Sequence, residues 1–137
     1  MYRKVHHIGI AVKDIEASVK LYRDLLGVPL EGTHTIPEQK VLTAFFPVGD
    51  THLELIQPTE GNVGVTKFLK NRGEGVHHLC FEVDDIEVAL AECRSRGLRL
   101  IDDVPRELED GKKKMAFLHP KSTGGVLIEL YQICSGD

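Results

Sequence analysis

The sequence predicts an α+β fold of paired βαβββ modules that form an open, curved, eight-stranded barrel. Three observations carry this expectation. A histidine pair opens an apolar run twice, as VHHIGIA at 5–11 and as VHHLCFE at 76–82. Matched residues recur at a near-constant offset: His7 with His78, Asp14 with Asp85, Gly27 with Gly97, Pro47 with Pro120, Glu54 with Glu129. In each copy the apolar run leads into a helical pattern and then into further alternating segments. Self-similarity of this kind marks an internal duplication of one structural unit. A single unit has a sheet with one helix on one face, so two units side by side would line a barrel with their uncovered faces. The expected organisation is a single domain, 1–137, with modules at about 5–58 and 76–132 and a linker carrying a short helix at about 59–75.

Taken in order, residues 5–12 alternate as a strand does, with His6, Ile8, Ile10 and Val12 on one face and His7, Gly9 and Ala11 on the other. The first is a core face; the second is small and polar. Asp14 is a helix cap, followed by Ile15, Val19, Tyr22, Leu25 and Leu26 at helical spacing, with Gly27 as the stop. Leu30 to Thr35, Val41 to Val48 and Thr51 to Gln57 read as three strands, with Pro37 in the first loop and Gly49–Asp50 as the second turn. Thr59 to Gly64 is a polar break, and Val65 to Arg72 is a short helix ended by Gly73. The order then repeats. Strand 77–83 leads to Asp85 as cap, to Ile86, Ala89, Leu90 and Cys93 as the apolar stripe and to Gly97 as stop. Arg99 to Ile101, Lys114 to Leu118 and Gly125 to Tyr131 supply the remaining strands.

Composition narrows the function classes. A chain of 137 residues removes roughly two-thirds of its extended-chain surface from water on folding, enough for a core without disulfides. The net charge is -4 and the longest basic run is Lys112–Lys114, so nucleic acid is not an expected partner. Three cysteines, Cys80, Cys93 and Cys134, lack C-x-x-C spacing and fit reduced thiols in the cytoplasm. No apolar run reaches the length of a membrane span or a signal-peptide core, so no membrane partner is expected.

Four polar residues fall at matched places on the strands: His7 and His78 near the start of the first strand of each copy, Glu54 and Glu129 in the last. All four have parity opposite to the apolar neighbours. A lone histidine at a strand start is usually structural, and a lone strand glutamate usually faces solvent. Duplication changes the weighing, because both copies place the same pair at equivalent points. A carboxylate buried inside THLELI or VLIELY costs several kcal/mol without a partner. A divalent cation held by two imidazoles and two carboxylates removes that cost and leaves positions for a substrate. Cobalt, nickel, zinc, iron and manganese all suit such donors. His6 and His77, on the core-facing parity, read as packed residues. His34, His52 and His119 have weaker claims, although His52 shares the parity of Glu54.

The duplicated unit with a His and a Glu in each copy resembles the vicinal oxygen chelate superfamily. Within it, GEGVHHLCFEVDDI at 73–86 and FLHPKSTGGVLIEL at 117–130 are similar to the methylmalonyl-CoA epimerase family, and the likeness runs from His6 to Gln132. The resemblance implies metal ligands at His7, Glu54, His78 and Glu129, a divalent ion with cobalt foremost, an acyl-CoA substrate and a homodimer. Some epimerases carry Gln at the place of Glu54. The implied activity is interconversion of (R)- and (S)-methylmalonyl-CoA by removal of the α-proton through a metal-stabilised enolate. Inversion needs a proton taken from one face and returned on the other. Glu129 is the first candidate for that work, as both ligand and proton carrier. Several epimerases have an acidic residue six positions beyond the proline of the PEQ loop; here that place is Thr43, so Glu38, a water or another nearby group is left to serve as the second carrier, with Glu38 the named candidate. Lys121, Ser122 and Thr123, in the loop HPKSTGG, are candidates for binding a substrate carboxylate or part of coenzyme A. Two alternatives stand beside this reading. One is a glyoxalase I-type lactoylglutathione lyase, whose second module usually shows a single His after Gly instead of the doubled His77–His78. The other is a drug-sequestering binding module, whose members generally lack the metal ligands.

Overall fold

Both histidine pairs fall on strands, and each strand is followed by an aspartate-capped helix. The structure is a computed structural model and describes residues 1–134. Its order is β1 (Tyr2–Ala11), α1 (Ile15–Lys20), β2 (Gly32–Ile36), β3 (Val41–Val48), β4 (Thr51–Pro58), α2 (Gly64–Arg72), β5 (Gly75–Val83), α3 (Ile86–Ser95), β6 (Arg106–Leu108), β7 (Lys113–Leu118) and β8 (Leu127–Ile133). The chain divides into two compact units, one of His7–His77 and one of Met1–His6 with the residues from His78 onward.

In the unit His7–His77 the strand order is β2-β3-β4-β1, antiparallel except for the parallel pair β4 and β1. The register sets Gly9 beside Glu54 and Phe45 on the other side of Glu54. One sheet face is covered by α1 through Val12, Ile15, Val19, Ala44, Phe46 and Leu55. The opposite face was expected to be bare, and here the structure differs. The linker helix α2 covers one end of it, where Val65 packs with Ala11, Val41 and Ile56, joined by Phe68 and Leu69. Residues 65, 68 and 69 form one apolar stripe that must be buried, and the short side chain of Ala11 leaves room for it. The rest of that face carries His7, Thr43, Phe45, His52 and Glu54.

The second unit repeats the plan with order β5-β8-β7-β6, where β5 and β8 are parallel and the register sets Cys80 beside Glu129. Helix α3 covers one face through Val83, Ile86, Leu90, Cys93, Ala116, Leu118 and Leu130. On the other face Cys80, Met115 and Tyr131 cluster with Leu108 and Phe117. The N-terminal residues belong to this unit: the Tyr2 ring meets Phe81 edge-on at 5.6 Å, and the Met1 ammonium lies 3.2 Å from Asp84.

Both helix caps stand where the sequence placed them. The Asp14 carboxylate accepts from Glu16 N and Ala17 N, and Asp85 does the same for Glu87 and Val88. A second cap was not anticipated. Gln57 Oε1, from β4, accepts from Ile15 N at 2.8 Å, and Gln132 Oε1, from β8, accepts from Ile86 N at 2.9 Å. Each helix start is therefore tied to the strand that carries the glutamate. Gln57 and Gln132 keep the same offset as Glu54 and Glu129, which was the available signal.

Two expected elements are corrected. The stripe Ile15, Val19, Tyr22, Leu25, Leu26 breaks because α1 passes into a π-helical turn at Leu21–Leu25, where Leu26 N donates to Leu21 O. The extra residue shifts the phase, so Leu25 and Leu26 face solvent at 78% and 63% exposure. Arg99 to Ile101 forms only a single bridge, Leu100 to Leu118, and the edge strand is Arg106–Leu108 instead. Between them the Asp102 carboxylate accepts from Phe117 N at 2.9 Å and holds the Arg106 guanidinium, while Ile101 N donates to Phe117 O at 2.9 Å and His119 N to Arg99 O at 2.8 Å. Among the described residues no helix is long and apolar enough to cross a membrane.

Replacing Gln132 by Ala leaves the buried Ile86 N–H without its acceptor, which is expected to cost about 1 kcal/mol. Urea unfolding measures this, with Gln57→Ala giving a loss of the same size for the first helix.

Candidate active site

Each unit brings together one histidine and one glutamate that the sequence had matched. In the first, His7 Nε2 lies 3.5 Å from Glu54 Oε1. In the second, His78 Nε2 lies 3.4 Å from Glu129 Oε1. His7, His78 and Glu129 are each no more than 7% exposed. Parallel pairing makes this possible, because each histidine sits two residues before the small residue, Gly9 or Cys80, that stands beside the glutamate. Its imidazole reaches along the strand over that small neighbour.

An aromatic ring flanks each carboxylate on its far side. Phe45 is the β3 partner of Glu54, and Phe117 is the β7 partner of Glu129. The Phe117 ring stands edge-on to His78 at 6.4 Å, and Phe45 stands edge-on to His52 at the same distance. The matched phenylalanines keep the duplication offset, yet the sequence reading passed over them as ordinary strand residues. Their effect is to remove water from one side of each carboxylate, which raises the cost of leaving it uncompensated.

The donor set fits a metal ion. The separations of 3.4–3.5 Å exceed the length of a charge-assisted hydrogen bond, which is about 2.7–2.9 Å. They match the spacing of two donor atoms that each stand about 2.1 Å from one first-row divalent ion. Imidazole nitrogen with carboxylate oxygen is a combination that such ions accept.

The other histidines are placed elsewhere. His6 packs on the Tyr131 ring at 4.6 Å, and His77 meets Phe68 edge-on at 5.0 Å, as packed residues should. Burial holds the His77 imidazole below its ordinary pKa. His52 Nε2 lies 3.8 Å from Glu31, and the His34 ring packs on Phe45 at 5.7 Å. His119 Nδ1 accepts from Lys121 N at 3.1 Å and so caps the short 3₁₀ turn Pro120–Ser122.

Glu38 is exposed on the turn between β2 and β3. Thr43 is buried on β3, and its hydroxyl donates to His34 O at 3.4 Å. In the loop after β7, Ser122 Oγ accepts from Arg99 N at 2.9 Å and the Thr123 hydroxyl donates to Val126 O. Both hydroxyls thus serve the loop, while Lys121 is exposed.

Comparison with known proteins agrees with this arrangement. The sequence model of the glyoxalase/bleomycin resistance protein/dioxygenase superfamily matches residues 6–117, and the chain belongs to that superfamily. Its relatives there include methylmalonyl-CoA epimerases. The mitochondrial methylmalonyl-CoA epimerase of Mus musculus is 38% identical over 130 residues, spanning 94% of this chain and 72% of the relative. An ethylmalonyl-CoA/methylmalonyl-CoA epimerase of Cereibacter sphaeroides is 34% identical over 134 residues, spanning 97% of this chain and all of the relative. A solved structure of methylmalonyl-CoA epimerase in complex with methylmalonyl-CoA and NH4+ is similar with a TM-score of 0.85 at 35% identity, over 98% of this chain and 97% of that one. The resemblance read from the sequence holds, as does the α+β class with its repeated βαβββ order.

The buried His77 makes a pH prediction. Its folded pKa lies below the unfolded value near 6.5, so the unfolded chain binds the proton more tightly. The associated stability is present above pH 6.5 and is lost as pH falls through the folded pKa. Urea unfolding in chelator between pH 7.5 and 5 is expected to show a smaller loss for His77→Gln than for the wild type.

Proposed function

We propose that this protein is a metal-dependent epimerase that interconverts (R)- and (S)-methylmalonyl-CoA. The observation that carries the reading is the His–Glu pair repeated in both units, His7 with Glu54 and His78 with Glu129, in a chain whose relatives are named for this activity. In this reading His7, Glu54, His78 and Glu129 are the metal ligands. Two imidazoles and two carboxylates suit cobalt, with nickel, zinc, manganese and iron as alternatives. When bound, the ion supplies positive charge where the thioester oxygen gains electron density.

The protein's own groups do the rest. Glu129 takes the α-proton, which is acidified by the adjacent thioester carbonyl, and the planar enolate is then protonated on its other face. Phe45 and Phe117 keep water from the carboxylates, so the charge interactions act in a medium of low dielectric. Lys121, with the loop Ser122–Thr123, is assigned to anionic groups of the coenzyme A ester, through the lysine charge and backbone N–H groups.

The reading extends to a homodimer in the cytoplasm. Among the described residues Cys80, Cys93 and Cys134 form no disulfide, which suits a reducing compartment. In its own unit β2 is an edge strand with polar, exposed residues, and such an edge is open to pairing with a second copy.

Two measurements test the reaction. In D2O, deuterium is expected at the α-carbon of methylmalonyl-CoA, at a rate that falls about 100-fold or more in Glu129→Gln. Chelator is expected to abolish epimerisation and cobalt to restore it. Full activity in protein shown by elemental analysis to be metal-free would refute the metal role, and inversion without solvent deuterium would refute proton abstraction.

A further inference from the structure

Proton abstraction at Glu129 requires the α-carbon of the ester to lie over that carboxylate, and the α-alkyl group must then find room beside it. Resting on that reading, we propose that Tyr131 is a specificity-determining residue: a fixed wall on the site-bearing face of the second unit that admits an α-methyl group and turns away longer α-alkyl groups.

The chemistry of the substrate sets what to look for. Besides its hydrogen, the α-carbon carries a carboxylate, a thioester carbonyl and an alkyl group. The first two have oxygens that seek polar partners, and only the alkyl group gains from apolar contact. In the planar enolate the alkyl group lies in the plane and points away from both carbonyl carbons. It is therefore directed away from the groups that hold the oxygens, whichever face the proton enters.

Within the second unit that face has two ends around Glu129. Along β8, Leu127 and Ile128 stand across from His78 and Leu79, Glu129 from Cys80 and Tyr131 from Glu82. His78 Nε2, 3.4 Å from Glu129 Oε1, makes one end polar. At the other end Tyr131 clusters with Cys80 and Met115, joined by Leu108 and Phe117. Glu82, across from Tyr131, is directed to the Arg3 guanidinium at 3.5 Å and leaves the apolar cluster uninterrupted. Tyr131 is two residues beyond Glu129, about 7 Å along the strand, so its side chain borders a group bound over the carboxylate.

The Tyr131 ring is held on several sides. It is buried, packs on the His6 ring at 4.6 Å and has Met115 as its β7 partner. Lys113, paired with Glu109 at 2.8 Å, also holds the tyrosine hydroxyl. A ring anchored at its face and at its tip presents a fixed surface to a neighbouring ligand. The first unit closes the same end differently: Ile56, at the matching offset from Glu54, is covered by Val65 of α2. In the second unit the strand supplies the closure itself, with a side chain whose size decides how much space remains.

The test measures kcat/KM for epimerisation of methylmalonyl-CoA and of its α-ethyl homologue, both in one mixture, with holoenzyme. One methylene in an apolar pocket is worth about 10- to 200-fold, so the wild type is expected to prefer the methyl ester by about 10-fold or more. Tyr131→Ala and Tyr131→Leu are expected to reduce that preference by about 10-fold or more, while Tyr131→Phe, which keeps the ring, stays within about threefold of the wild-type ratio. The readout is a ratio from one preparation, so a smaller folded fraction lowers both rates alike and does not move it; Tyr131→Leu keeps an apolar filling if Tyr131→Ala does not fold. The proposal is overturned if the wild type handles both esters equally well, if the Leu and Ala variants keep the wild-type ratio within twofold, or if Tyr131→Phe relaxes it as far as they do. A wild-type protein that epimerises neither ester overturns the underlying reaction as well, whereas an unmoved ratio in active variants leaves that reaction standing.

Discussion

The structure depends on the cost of burying a carboxylate. Glu54 and Glu129 each sit in a strand whose neighbours are apolar, beside a phenylalanine and over a small residue, and each finds an imidazole nitrogen at 3.4–3.5 Å. A glutamate in such surroundings is unfavourable by several kcal/mol unless charge is compensated. Residues that would be poor choices for a stable sheet therefore persist as matched pairs, and the small Gly9 and Cys80 beside them are part of the same arrangement. The local rule against buried charge is broken where the chemistry needs it.

What holds these pairs in position is the coupling of helix to strand. Asp14 and Asp85 satisfy two N–H groups at each helix start, and Gln57 and Gln132 satisfy one more from the strand that bears the glutamate. A carboxylate on β4 or β8 thus lies three residues from a side chain anchored to a helix. The apolar clusters under α1 and α3 complete the support from the opposite face. The two copies have nevertheless diverged. Helix α2 fills one end of the site-bearing face in the first unit, whereas Tyr131, Met115 and Leu108 occupy that role in the second. Position 43 carries a buried threonine that donates to the backbone of its neighbouring strand.

Legibility followed the physics of each feature. The His and Glu pairs could be read because period-two alternation assigns a face from the chain alone, and because duplication supplies a second copy as a control. The aspartate caps could be read because their hydrogen bonds reach only two or three residues. Gln57 and Gln132 were missed, since their partners lie some forty residues away in sequence and a glutamine in a strand carries no local signature. The Asp102 carboxylate that accepts from Phe117 N, fifteen residues away, was missed for the same reason.

By itself the chain determined the repeated βαβββ order, the parity of its four matched polar residues and the ends of its helices, because each is a consequence of spacing and local hydrogen bonding. Tertiary structure alone decided which strands are neighbours and in what register. That decision set Phe45, Glu54 and Gly9 in one row and let a helix from the linker cover part of a face that spacing left bare. The physical reason is that register is fixed by the burial of a whole face at once, a property of all the strands together.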